Sequence, residues 1–148
     1  MKRTLAVVST LAAAGVVAIT GPAGAAERSG DLHVTKECPE YHGLAGEFCT
    51  ITSSNIPAIR RGMKVRYASG VDPATGVLDS DLVLDGPGPN AAFGHVVLNA
   101  MTFVGVVTFS GGTGRFRGFH AGPLAVACPD FPACSWDGSY AFTPPEDD

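Results

Sequence analysis

The segment Gly105-Val-Val-Thr-Phe-Ser-Gly-Gly-Thr-Gly-Arg-Phe-Arg-Gly-Phe-His120 decides the fold of this chain. Residues 106–109 are β-branched or aromatic, and such residues favour a pleated, half-buried strand. Three glycines follow, at positions 111, 112 and 114, where a positive φ angle carries no Cβ penalty. Alternation of polar and apolar residues then resumes with the Arg-Phe-Arg triplet. The segment therefore predicts a strand, a glycine turn and the start of a second strand.

The same glycines suggest a phosphate-binding loop as an alternative. Their spacing, Gly112-x-Gly114-x-x-x-Gly118, misses the dinucleotide fingerprint by one residue, and no Gly-Lys-Ser/Thr triplet is present. No helical pattern follows the glycines, so the sequence offers no helix N-terminus to hold an anion. We therefore interpret the segment as a structural turn.

The first 25 residues have the pattern of a secretory signal peptide. Lys2 and Arg3 precede an apolar stretch at residues 5–19, and Ala23-Gly-Ala25 provides an A-x-A cleavage site. The apolar stretch is short for a membrane span, which needs about 20 residues. These features predict a secreted, extracellular protein that is not held in a membrane.

The charge balance of the remaining chain excludes some classes of partner. Removal of residues 1–25 takes away two of the 10 basic side chains and none of the 14 acidic ones, which leaves a net charge of −6. Nucleic acids and anionic membrane surfaces bind basic faces, so neither is expected as a partner. The length fits one domain, which we place at residues 30–143, followed by a disordered acidic tail at 144–148.

All four cysteines follow the predicted cleavage site. An even number of cysteines in an exported chain favours two disulfides, for which three pairings exist. Cys128 and Cys134 bracket a tight loop between two strand-like segments, so we favour this pair, which leaves Cys38 with Cys49. Zinc ligation requires Cys-x2–4-Cys pairs. The intervals in this chain are wider, and no metal site is predicted.

Short alternating segments separated by turn residues run through the domain. The 19 glycines and 11 prolines separate these segments, while a hydrophobic content of 45% indicates a packed core. No segment shows a convincing helical period, so the pattern predicts a single all-β domain, either a sandwich or a closed barrel. The predicted strands cover residues 32–37, 47–52, 63–69, 77–85, 94–99, 103–110, 119–127 and 135–142.

Four segments in this order resemble the allene oxide cyclase/dirigent barrel superfamily, including its secreted bacterial members. The Gly-Gly-Thr-Gly-x-Phe-x-Gly core is the most specific of them, and the similarity covers residues 45–142. The resemblance implies a single eight-stranded antiparallel β-barrel, frequently a homotrimer, with a mostly apolar cavity. It also implies cyclisation or radical coupling of a bound small molecule without a cofactor. The matching segments are Phe48-Cys-Thr-Ile-Thr52, Phe93-Gly-His-Val-Val-Leu-Asn99, Thr108-Phe-Ser-Gly-Gly-Thr-Gly-Arg-Phe-Arg-Gly118 and Trp136-Asp-Gly-Ser-Tyr-Ala-Phe142.

Three residues are the candidates for acid–base catalysis. Glu37 is the acid that the resemblance implies on the first strand, although its neighbours Lys36 and Cys38 depart from the family motif. No asparagine of this sequence is matched to the one that holds a water in allene oxide cyclases. His95 is the best general-base candidate because imidazole titrates near neutral pH, and Asn99 shares its strand face. A hydrogen-bonded surface histidine is the more common alternative.

Three aromatic residues, Tyr67, Trp136 and Tyr140, are candidates to line an apolar ligand pocket, with core packing as the alternative. On the segment 77–85, Asp79 and Asp81 share one face. Paired carboxylates are one interpretation of this face, and a solvated strand face is the more common one.

Two classes of function remain open at this point. One is a cofactor-free isomerase or cyclase that holds a small apolar molecule in the barrel cavity. The other is a non-catalytic extracellular carrier or a protein-binding module. Polar side chains that converge in one pocket would favour the first class. A large exposed apolar patch would favour a protein partner instead.

Overall fold

The computed structural model describes residues 28–143 and shows an all-β fold. The predicted signal peptide at 1–25 and the predicted tail at 144–148 lie outside the described residues. Eight antiparallel strands form a closed barrel, and a ninth, short strand lies outside the closure. The strands are β1 (Ser29–Glu37), β2 (Phe48–Ser54), β3 (Lys64–Tyr67), β4 (Val71–Asp72), β5 (Val77–Asp85), β6 (Ala91–Asn99), β7 (Val104–Thr113), β8 (Phe119–Asp130) and β9 (Ala133–Phe142).

The sheet closes because β3 pairs on both sides, with β2 and with β5. Around the barrel the strands follow the order β3-β2-β1-β9-β8-β7-β6-β5, after which β5 returns to β3. Full closure leaves no unpaired strand edge in the ring. Strand β4 pairs only with β5. It was not predicted, because two residues are too few to show an alternating pattern.

The glycine segment is organised differently from the predicted simple turn. Strand β7 continues to Thr113, and the chain reverses through a short 3₁₀ turn at Gly114–Phe116. Gly114 has a φ of 59°, as a left-handed turn position requires. At Gly112 the requirement is space instead, because a Cβ there would lie 2.3 Å from the carbonyl oxygen of Ala91.

Alternation along the strands fills the inside of the barrel with side chains. On β5, for example, Leu82 and Leu84 are buried while Asp79 and Asp81 are exposed, so the carboxylates form a solvated outer face. The buried side chains make one core cluster, and they fill the inside of the barrel, where the resemblance implies a mostly apolar cavity. The largest of them are Trp136, Phe109, Phe116 and Phe119.

One end of the barrel, which we call the mouth, carries both disulfides. Here β1 ends, β2 begins, β6 turns into β7, and β8 turns into β9. The bonds join Cys38 to Cys49 and Cys128 to Cys134, with S–S distances of 2.03 and 2.08 Å. The predicted pairing is therefore confirmed, and each bond ties together chain segments at the mouth.

The opposite end, which we call the closed end, is covered by the β2–β3 loop and the 3₁₀ turn. Ile56 and Ile59 from the loop and Phe116 from the turn are all buried and join the core cluster. Residues 28–143 contain no helix that is long and apolar enough to cross a membrane.

The fold predicts opposite effects for two glycine-to-alanine substitutions within strands. A Cβ at Gly105 would lie 2.2 Å from the backbone oxygen of Val97, whereas one at Gly30 meets only the Tyr140 ring, at 3.6 Å or more. Gly105→Ala should lower the free energy of unfolding by about 1–3 kcal/mol. Gly30→Ala should leave it unchanged or slightly higher. Urea unfolding of both variants provides the measurement. Wild-type stability of Gly105→Ala would contradict the packing of β6 against β7.

Candidate functional site

Strand β1 places a lysine inside the barrel. Leu32, Val34 and Lys36 alternate inward along the strand, and only 5% of Lys36 is exposed. Lysine is seldom fully buried unless a partner compensates its charge. The sequence contained the signal, since Lys36 is in register with two apolar residues. The predicted candidate was the next residue, Glu37, whose side chain is exposed on the outside of the barrel.

The Lys36 amine lies among aromatic rings and a disulfide. Its Nζ is 2.8 Å from the Tyr67 hydroxyl and 3.8–3.9 Å from the sulfurs of Cys49 and Cys38. The ring centroids of Tyr67 and Trp136 are each 5.5 Å from Nζ. Within residues 28–143 no carboxylate lies within 4 Å of this nitrogen. The positive charge therefore has no counter-ion and only weak compensation.

Burial without a counter-ion lowers the pKa of Lys36 from 10.5 to about 7. Burial likewise raises the pKa of Tyr67, so the phenol stays protonated. Above pH 7 the amine is mostly neutral and can accept a hydrogen bond from the Tyr67 hydroxyl. A neutral amine is a base and a nucleophile, but its burial keeps it out of contact with solvent.

A pocket of about 330 Å³ opens at the mouth, next to this buried pair. Tyr41, from the β1–β2 loop, lines the pocket and also contacts the core, with its ring centroid 5.3 Å from that of Tyr67. Ligand sites typically have volumes of about 300–1,000 Å³, so this pocket is at the lower end of that range. We call this site the mouth pocket. Its lining residues are Tyr41, His42, Gly43, Val71, Leu98, Ala100, Phe103 and Phe131.

The hydroxyl group of Tyr41 is buried and has no hydrogen-bond partner within the described chain. Burial raises the pKa of Tyr41 to about 12, with smaller contributions from Tyr67 and Glu47. A buried hydroxyl without a partner costs about 1–3 kcal/mol. Tyr41 thus lines an apolar pocket and carries a hydroxyl whose hydrogen-bonding capacity is unused.

The backbone of Phe103 is strained at the same pocket. Its φ is 61°, and within residues 28–143 no other residue except glycine has a positive φ. Hydrogen bonds hold this conformation, since Phe103 N–H donates to Asn99 O at 2.7 Å and Cys128 N–H donates to Phe103 O at 3.0 Å. The ring stacks on Phe131, with 5.1 Å between centroids. Such strain costs about 1–3 kcal/mol and is concentrated at functional sites.

A carboxylate orients a histidine at the rim of the pocket. His42 Nδ1 lies 3.0 Å from Glu47 Oε2, while Glu47 Oε1 accepts the backbone N–H groups of His42 and Leu44. These hydrogen bonds, led by the one from Leu44, lower the pKa of Glu47 and keep it ionised. An imidazole held at Nδ1 can exchange a proton at Nε2. No sequence pattern indicated this pair, because it depends on the loop conformation.

The predicted catalytic residues are distributed around the outside of the barrel. His95 is exposed between Asp79 and Asp81, with ring nitrogens 2.5 and 2.8 Å from their carboxylates. These hydrogen bonds, led by the one to Asp81, raise the pKa of His95. Asn99 accepts two backbone N–H groups in the β6–β7 turn. Three strands separate β6 from β1 in either direction, so His95 and Glu37 are on opposite sides of the barrel.

The predicted ligand-binding aromatics separate into two groups. Tyr67 and Trp136 are buried together around Lys36 near the mouth. Tyr140 is half-buried toward the closed end, where its ring contacts Phe119 and Phe142. The structure thus brings two of the three together, and it adds Lys36 and Tyr41 to them.

Comparisons with protein-family models, with curated proteins and with solved structures found no match for this chain. The structure establishes the barrel, while membership of the allene oxide cyclase/dirigent superfamily stays a prediction. Because a fold does not define a function, function has to be inferred from the chemistry of the mouth.

The buried amine predicts a pH-dependent stability. In the folded protein Lys36 loses its proton near pH 7, whereas in the unfolded chain it keeps the proton until about pH 10.5. Between these values the unfolded state binds more protons, so stability should rise with pH by about 1.4 kcal/mol per unit. Lys36→Met should remove this slope and stabilise the protein most at pH 7 and below.

Urea unfolding at half-unit intervals from pH 7 to 9.5 measures the effect. The difference between wild type and Lys36→Met isolates the lysine from other titrating groups, including His95. As a control, Lys64→Met removes a half-buried lysine of strand β3, two strands along the sheet from Lys36, and should keep the slope. Parallel stability curves for wild type and Lys36→Met would contradict the burial of the amine.

Proposed function

We propose that this chain is a secreted barrel that binds a small, largely apolar molecule at the mouth pocket. The observation that carries the proposal is the unpartnered Tyr41 hydroxyl beside an apolar pocket. Two disulfides support an oxidising compartment, as expected outside the cell. The apolar walls supply affinity, and the hydroxyl selects a ligand with one hydrogen-bonding group.

The shape of the pocket supports a flat or aromatic ligand. The stacked rings of Phe103 and Phe131 form one wall, and Val71 and Leu98 add aliphatic surface. Flat ligands gain from offset stacking on such rings. A hydroxyl or carbonyl group of the ligand that reaches Tyr41 would satisfy the phenol and recover its desolvation cost.

We further propose that such a ligand undergoes isomerisation or cyclisation without a cofactor. His42, oriented by Glu47, is positioned to act as a base, and Tyr41, which also lines the pocket, carries the hydroxyl that would act as an acid. A substrate held in the pocket beside these two residues would be bound near its reactive geometry. The alternative is a carrier that uses the same pocket without turnover.

Paired probes test whether the hydroxyl selects the ligand. Binding of 1-naphthol and of 1-methylnaphthalene, which lacks the hydroxyl, is followed by amide chemical shifts in NMR titrations. Wild type should prefer 1-naphthol by about three- to tenfold, the effect of one net hydrogen bond. Tyr41→Phe should remove this preference while keeping affinity for 1-methylnaphthalene.

Two further variants localise the binding. Phe131→Ala removes part of the pocket wall and should weaken both probes. Phe142→Ala removes an aromatic ring from strand β9, away from the mouth, and should weaken neither. Equal binding of both probes to wild type, or shift changes confined to residues away from the mouth, would refute the proposal.

A second candidate, self-association, is supported by an exposed apolar strip on the outer face of β6 and β7. Val97, Val104 and Val106 are 41%, 58% and 45% exposed, and Val97 is directly opposite Val106 in the register. Such a patch is typical of protein contacts. We propose that it joins copies of this chain, with a homotrimer as the expected closed assembly.

A charge placed in this strip should dissociate the assembly. Val106→Glu is expected to yield monomers by sedimentation velocity, because an unpaired carboxylate at an apolar contact costs several kcal/mol. Ser139→Glu adds the same charge to exposed surface of β9 and should leave the assembly intact. A monomeric wild type at all concentrations tested would exclude self-association.

A further inference from the structure

Half of the basic residues in the described chain are concentrated in one short segment. Of the eight lysines and arginines in residues 28–143, four occur within residues 60–66: Arg60, Arg61, Lys64 and Arg66. The net charge of the chain is negative, so this concentration is local. Protein surfaces normally intersperse the two signs of charge, and a single-sign cluster produces a positive potential that attracts anions.

The four cations line one pocket between the β2–β3 loop and the β5–β6 loop. Its volume is about 380 Å³, and Gly62, Met63, Asp85, Gly86 and Pro87 complete its lining. We call it the basic pocket. It lies toward the closed end of the barrel, because β5 ends at Asp85 there, and it shares no lining residue with the mouth pocket.

An aromatic ring contacts two of the cations. Lys64 Nζ and Arg66 Cζ are 4.5 and 5.3 Å from the ring centroid of Phe48, on the adjacent strand β2. Cation–π contacts of this kind fix flexible side chains without neutralising their charge. Both positive groups are therefore held at one ring and keep their charge.

The pocket has one acid for its four cations. Asp85 Oδ2 lies 3.9 Å from Arg66 Nε, with both side chains about half exposed, which makes this a weak ion pair. Within residues 28–143 no carboxylate lies within 4 Å of Arg60, Arg61 or Lys64. Three positive charges thus remain uncompensated around one concave surface.

We propose that the basic pocket binds a small multivalent oxyanion of the phosphate or sulfate class. Guanidinium groups match the oxygens of tetrahedral anions with paired N–H donors, and the lysine adds a mobile point charge. A multivalent anion removes the mutual repulsion of several cations at once, whereas a monovalent carboxylate does not. This site is independent of the proposed function at the mouth.

The test is an NMR titration of the folded exported chain with inorganic pyrophosphate, and separately with sulfate and acetate. Pyrophosphate should bind saturably, with shift changes at the amides of residues 60–66, and should bind more tightly than acetate. Affinity should fall when sodium chloride is raised to about 150 mM, as screening requires. The pyrophosphate and sulfate arms distinguish a phosphate preference from a sulfate preference.

Two double variants with the same change in net charge provide the decisive comparison. Arg61→Gln with Lys64→Gln should weaken pyrophosphate binding by about tenfold, because two charge-assisted contacts are lost. Arg28→Gln with Arg117→Gln removes two cations outside the pocket and should change the affinity by less than about twofold. Unchanged shifts of core amides in both variants confirm that the barrel is intact.

Equal losses in the two double variants would overturn the proposal, since they would show a response to net charge alone. Non-saturable shifts for pyrophosphate, or saturable shifts centred away from residues 60–66, would overturn it as well. A loss confined to the Arg61/Lys64 variant supports the assigned site.

Discussion

Pairing of β3 with both of its neighbours is the contact on which the remaining structure depends. It converts a sheet with two open edges into a ring, and a ring has one inside and one outside. Every strand then has a fixed inner face. On β1 that face includes Lys36, so closure of the barrel forces an amine into the interior. Its lowered pKa and its contact with Tyr67 are consequences of topology.

Several features that lower the free energy of unfolding lie together at the mouth. An amine without a counter-ion, a phenol without a partner and a phenylalanine in the left-handed region all occur at this end. Both disulfides are here too, and cross-links offset such costs by restricting the unfolded chain. The closed end, by contrast, is covered by ordinary apolar side chains such as Ile59. Unfavourable local features of this kind are concentrated at functional sites in proteins.

Local patterns in the sequence were sufficient for the eight strands of the barrel and for the disulfide pairing, because alternation and loop length are local properties. They were not sufficient for the site. Lys36 was visible as an inward position only once the inner face of β1 was known, and Tyr41 and Phe103 lie in loops without any period. His95 attracted attention as a histidine, but its environment on the barrel exterior depends on β5 and β6 being neighbours. Closure of the barrel determines which single polar groups are buried, so local sequence patterns could not predict them.

Net charge also proved too coarse a description of the surface. A total of −6 for the predicted mature chain argues against large polyanionic partners, because long-range attraction follows the summed charge. A small anion responds instead to charges within about one Debye length, roughly 8–10 Å in physiological salt. On that scale the four cations of the basic pocket outnumber Asp85, the one carboxylate in its lining. A chain with a negative net charge can therefore have a local oxyanion site, because the net charge acts over long distances and the nearby cations act on a small anion at short distance.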